Sequence, residues 1–131
     1  MSPKQISVIG ALFMAFSVGI GAFGAHGLSE ILEVNGRIDT YATAMDYFFI
    51  HSFAILVIGL FGLAKESDSQ KSKFSQAVIL FIIGIVLFSG SLIALSITNI
   101  GLFGAITPFG GLSFIAGWIM VAVKLGRGGK S

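Results

Sequence analysis

Apolar positions along the chain gather in four long blocks, with no strand-like alternation of apolar and polar residues. Ile6 to Gly24, Phe48 to Ala64, Ala77 to Gly101 and Leu102 to Val123 contain no Asp, Glu, Lys or Arg. A helix of about 20 apolar residues crosses the hydrocarbon core of a bilayer. The pattern therefore predicts four spans, at roughly 5–26, 42–64, 75–97 and 105–125. The expected fold is an all-α integral membrane protein, with four transmembrane helices in one bundle and residues 1–131 forming a single domain.

The connections between the blocks are short. The first, Leu28 to Tyr41, carries Glu30, Glu33 and Asp39. Within it, Ser29 to Gly36 predicts a short interfacial helix with Leu28, Ile31 and Leu32 on one face and Gly36 as its stop. The second, Lys65 to Lys73, is polar and Ser-rich. The third, Thr98 to Ile106, is almost wholly apolar and belongs at the interface or against the bundle. Thr107-Pro108 suits the start of the fourth helix, Thr as N-cap and Pro as first helical residue. The competing reading is a proline kink inside a longer fourth helix.

Composition agrees with the membrane reading. Mean hydropathy is +0.96 and 11% of residues are charged, where a soluble domain carries about a quarter. The pI of about 9.2 does not indicate nucleic acid once the basic residues are placed. Lys4, Lys65, Lys71, Lys73, Lys124, Arg127 and Lys130 all fall on one side of the predicted spans, and Arg37 alone on the other. By the positive-inside rule both termini face the cytoplasm, and the basic side has a weak attraction to anionic headgroups. The first apolar run is longer than a signal-peptide core and only Lys4 precedes it, so a retained helix is expected. With no cysteine, disulfides and thiolate ligands are excluded.

The stretch GIGAFGAHG spells Gly19-x-Gly21-x-x-Gly24, a dinucleotide-binding pattern, with Asp39 twenty residues after Gly19. That chemistry needs a strand, a tight turn and a helix opening on the pyrophosphate. Here the glycines lie inside an apolar span, so no nucleotide is expected. Helical spacing explains them better. Gly10, Ser17, Gly21 and Gly24 share one stripe, and Ala15, Gly19, Ala22 and His26 share the opposite one. Phe13, Phe16, Ile20 and Phe23 fill a flank between them. Small residues let helix backbones approach closely in lipid, so two stripes predict a central first helix with neighbours on both sides. Gly110, Ser113 and Gly117 form a similar stripe on the fourth span.

The candidate polar site is His51 with Tyr47 and His26. On the second span Ala44, Tyr47, His51, Ile55, Ile58 and Gly62 share a face. His51 is expected about 13 Å deep, where an ionisable group faces protein or a water-filled cavity. Tyr47, one turn away, is placed to hydrogen-bond it. His26 ends the first span on the same side and is a candidate to converge with His51. Two histidines are too few for a closed zinc site, so neither metal nor haem is expected, and no cofactor. Asp46 reads as an interfacial carboxylate. Ser89, Ser91, Ser96 and Thr98 offer hydroxyls for bonds across helices, and no serine has the base and orienter that a nucleophile requires. No enzyme is expected.

The ordered motifs GAFGAHGL, a Tyr and a His on the second span, LFSGSLIAL, and GAITPFGGLSFIAGW resemble the YgdD/YwdK family of small bacterial membrane proteins, whose vertebrate relatives are called transmembrane protein 256. The resemblance runs from about Gly10 to Val123. It implies four membrane helices and a bacterial inner-membrane location, and supplies no activity. The family commonly has Gln after the Tyr of the second span; this chain has Phe48. The expected partners are the lipid bilayer and either further copies or another membrane protein. Two functions compete. An oligomeric transport-related module is slightly favoured, on the buried His51 and the glycine-broken helices. The alternative is a non-enzymatic accessory or assembly factor of a larger membrane complex.

Overall fold

A computed structural model of the chain describes residues 1–65 and 71–127. Lys130 and the Ser-rich middle of the second connection, 66–70, lie outside the described residues. The described residues form helices and connecting turns, without a strand. Helix α1 is Pro3–Ala25, α2 is Ser29–Val34, α3 is Ile38–Lys65, α4 is Ser75–Thr98 and α5 is Leu102–Arg127. All except α2 are long and apolar enough to cross a membrane.

The central helix is α3. Helix α1 packs on it, α4 packs on its other side, and α5 packs on α4. This corrects the expectation of a central first helix. In α1 the buried Pro3, Ile6, Gly10, Ser17 and Gly24, with the half-buried Phe13 and Ile20, repeat at intervals of three and four. That is one narrow seam, as in a coiled coil. Small and large residues alternate along it. A Cβ at Gly10 would lie 2.6 Å from the Leu56 Cα, and one at Gly59 would lie 2.7 Å from the Ser7 Cα. At this level the two backbones touch. The Tyr41 ring fills the notch of Gly24, and its hydroxyl donates to the Ile20 carbonyl at 2.6 Å. Phe13 meets Phe48 edge-on at 6.1 Å.

Among the described residues the opposite stripe is largely uncovered. Ala15, Ala22 and His26 are exposed, and nothing lies within 4 Å of a Cβ built at Gly19. Gly21 makes only an ordinary contact, 3.6 Å to the Met45 Cε. Gly19 and Gly21 are therefore not close-packing positions within this chain. Of the flank between the stripes, Phe16 and Phe23 face outward, whereas Phe13 and Ile20 turn into the core.

Between α4 and α5 the fit is ring into glycine. Phe114 covers Gly84, Phe81 covers Gly117, and Gly110 lies against the backbone of Leu87 and Phe88. The last contact falls where α4 widens into a π-helical stretch, Ile85–Gly90. Such stretches are rare and occur as single wide turns within α-helices. The Ser89 hydroxyl, buried in this stretch, has no hydrogen-bond partner among the described residues. Ser113 Oγ donates to the Leu80 carbonyl at 2.7 Å, and Ser91 and Thr107 share a hydrogen bond of 2.7 Å between α4 and α5. Other hydroxyls fold back on their own helices, Ser52 on the Phe48 carbonyl, Ser96 on Leu92 and Thr98 on Ala94.

Helix α5 starts at Leu102, so Pro108 lies inside it and Thr107 is no N-cap. The start near residue 105 is corrected, and the longer proline-containing helix is the form observed. Asn99, in the left-handed region at φ 55°, closes α4 and lets the chain reverse within three residues. At this end α2 sits where the interfacial helix was expected. Leu32 is buried and Gly36 has φ +64°. Asn35 Nδ2 donates to the carbonyls of Ser96 and Ile97, each at 3.0 Å, and Arg37 Nε donates to Asn99 Oδ1 at 3.0 Å. Carbonyls at the end of α4 are thus satisfied by the loop between α1 and α3. At the opposite end the Met1 carbonyl accepts from Ser72 N at 3.0 Å and Ser75 Oγ at 2.9 Å, tying the chain start to α4.

Candidate functional site: the His51 brace

His51 lies thirteen residues into the 28-residue helix α3, or about 20 Å along its axis. It is therefore at mid-helix, further from the helix start than expected, because α3 begins four residues earlier than the apolar run suggested. The side chain is 4% exposed. Its Nδ1 lies 2.7 Å from the Tyr47 carbonyl, and Trp118 Nε1 donates to its Nε2 at 3.1 Å. A carbonyl only accepts and an indole N–H only donates. The proton is thereby assigned to Nδ1 and the lone pair to Nε2. The imidazole is neutral and both of its nitrogens are engaged.

Aromatic rings enclose it. Phe114 stacks on the imidazole at 3.5 Å and 10°, and Phe81 meets it at 5.3 Å and 60°. The same two rings fill the notches of Gly84 and Gly117. The glycine contacts and the histidine contacts are thus one construction, holding α3, α4 and α5 together. In a bilayer core no water can satisfy a stray N–H. The Trp118 to His51 bond satisfies one donor and one acceptor at once.

Tyr47 is near His51 but not through its hydroxyl. The Tyr47 carbonyl takes the bond, and the two rings lie 6.0 Å apart at 15°. The phenol ring packs on Phe88 at 4.4 Å and is 41% exposed. His26 does not converge with His51. It caps α1 at the bundle end and is exposed, its carbonyl accepting from Ser29 Oγ at 2.9 Å. Among the described residues no three His, Asp or Glu side chains come together as metal ligands would. Of the packing positions, Gly10, Ser17, Gly24, Gly110 and Gly117 are buried at helix contacts. Sequence reasoning missed Trp118 as the partner of His51. The signal was present in its position, too deep for an interfacial tryptophan. It also missed Tyr41, whose place opposite Gly24 depends on how α1 and α3 are aligned.

Comparison with known proteins agrees with this architecture. The family model described as "Protein of unknown function (DUF423)" matches residues 20–111. The UPF0382 membrane protein YwdK of Bacillus subtilis is 39% identical over 120 residues, 92% of this chain and 94% of its own length. The UPF0382 membrane protein of Haemophilus influenzae is 38% identical over 93% of each chain. The UPF0382 inner membrane protein YgdD of Escherichia coli is 34% identical over 100% of this chain and 98% of its own. No solved structure matches. With four apolar helices and relatives of this identity along nearly its whole length, the chain is a membrane protein and belongs to the DUF423/UPF0382 family.

Proposed function

We propose that the protein is a non-enzymatic membrane module that acts by lateral contact, through the outward face of α1, as an accessory of a larger membrane assembly. One observation carries this reading. Among the described residues helix α1 is packed along one seam, and its second small-residue stripe, Ala15, Gly19 and Ala22, is exposed. Glycine in a helix interior costs about 1 kcal/mol relative to alanine, and a small surface in lipid gives close approach to another helix. The transport reading drew on a buried titratable histidine. A neutral His51 with both nitrogens bonded supports a structural brace instead.

The test is photo-crosslinking in native membranes. A crosslinking residue at Val18, beside the open stripe, is expected to give a protein adduct. The same residue at Val86 on α4, equally exposed at 61%, is expected to give none. An adduct of twice the chain mass identifies a second copy, and any other mass a different partner. Lipid products alone from both positions would overturn the proposal.

The orientation proposed with it has both termini in the cytoplasm of a bacterial cell membrane, on the basis of the basic residues at that end. The chain has no cysteine, so single cysteines report cleanly. In intact cells Val34→Cys, at an 80% exposed position, should react with a membrane-impermeant maleimide, and Lys71→Cys only after lysis. The reverse pattern would invert the topology.

A further inference from the structure

We infer that the groove between α3 and α5 holds one acyl chain of an anionic phospholipid, with its phosphate met by the lysines at the groove's basic end. The groove encloses about 340 Å³. Its floor is Ala54, Ile58 and Phe74, all buried, and its walls are Val57 and Phe61 on α3 and Trp118 on α5. From Ala54 to Phe61 it runs about 10 Å along the helix axis, from near the level of the His51 brace towards the end that carries Met1 and Arg127. A chain seated there touches protein on several sides, whereas a chain on a convex helix surface touches it on one, and dispersion contacts add with their number.

The brace makes the groove suitable for hydrocarbon. Trp118 is the one large wall residue with a polar atom, and its N–H is turned to His51 Nε2. The groove therefore meets the indole as an apolar ring face. The charge lies at one end. The Lys73 ammonium sits 5.0 Å over the ring of Phe74, a residue of the groove floor. Lys124 reaches from α5 to the Lys73 carbonyl and to Gln76 Oε1, which engages two of its three donors. Lys65 follows Phe61 by one turn on α3. A phosphate at the headgroup level above this groove meets these cations, and each lysine so engaged favours an anionic lipid by roughly five-fold.

Trp118 is the only tryptophan of the chain and lines the groove, so it reports on the occupant directly. The protein is reconstituted in phosphatidylcholine vesicles containing a small fraction of chain-brominated lipid, either phosphatidylglycerol or phosphatidylcholine. Quenching of Trp118 by the brominated phosphatidylglycerol is expected at a several-fold lower mole fraction. Two variants separate the site from general attraction to a basic surface. Val57→Phe fills the groove from an exposed wall position and keeps every lysine; it should abolish the preference. Lys73→Gln with Lys124→Gln keeps the groove and should remove most of the preference. The emission maximum of Trp118 and thermal stability in phosphatidylcholine confirm that each variant is folded. Equal quenching by the two lipids in the unaltered protein would overturn the inference. So would a preference that survives Val57→Phe, since it would then be annular.

Discussion

Replacing Gly10 with Ala is expected to destabilise the protein by about 3 kcal/mol, at the upper end of ordinary overpacking costs, while Gly19→Ala leaves it unchanged or slightly more stable. The two glycines lie on the same helix and look alike in sequence. A methyl group at Gly10 would sit 2.6 Å from the Leu56 Cα. Backbone cannot rotate aside as a side chain can, so α1 must lift away from α3. The reciprocal contact of Gly59 with Ser7 lies at the same level and is lost with it. Tyr41, whose hydroxyl reaches the Ile20 carbonyl, is strained by the same movement. At Gly19 a methyl meets nothing within 4 Å, and the helix gains the propensity of alanine, up to about 1 kcal/mol in the solution scales. Thermal unfolding in mild detergent measures both. Equal losses would mean that the close approach of α1 and α3 is not what holds α1 in place.

His51→Ala is the second large effect, again about 3 kcal/mol, from two sources. The Trp118 N–H loses its acceptor, which costs about 1–3 kcal/mol in a site without water. The ring stacked on Phe114 at 3.5 Å also disappears, and an aromatic pair contributes about 0.5–1.5 kcal/mol beyond its area. His51→Gln should recover at least half of the loss, because its amide oxygen can accept from Trp118 Nε1. Gln does not titrate near neutral pH. If His51 is a brace, His51→Gln also restores whatever phenotype deletion of the gene produces. A stable His51→Gln variant that fails to complement would assign His51 a chemical role and reopen the transport reading. Trp118→Phe tests the bond from its other end. It removes the donor and leaves Nε2 unpaired, so its loss of stability should exceed that of Ile119→Phe, a change at a neighbouring outward position 60% exposed.

How much of this was legible beforehand differs between elements. The short helix α2 was, because a Ser-initiated amphipathic run ending in glycine needs no distant partner to be recognised. The seam of Gly10, Ser17 and Gly24 and that of Gly110, Ser113 and Gly117 were legible as faces, since helical periodicity alone places them. The central position assigned to α1 was not correct. Sequence spacing shows that a face is small and gives no sign of whether a neighbour covers it. Pro108 was ambiguous for a related reason: proline suits both a first turn and the interior of a membrane helix whose neighbours satisfy the freed carbonyl.

The sequence by itself determined that the chain lives in a membrane and which four segments are apolar enough to cross it, because charge-free runs of this length suit a hydrocarbon solvent. It also determined the asymmetry of charge between the two ends. Only the tertiary structure decided that α3 is the centre, that Gly19 is open and Gly10 closed, that α4 widens at Ile85–Gly90, and that Trp118 is the partner of His51. The physical reason lies in the solvent. In water a buried face and an exposed face differ in polarity, so sequence tells them apart. In a bilayer the hydrocarbon is as apolar as a leucine side chain, and a face turned to lipid reads the same as a face turned to another helix.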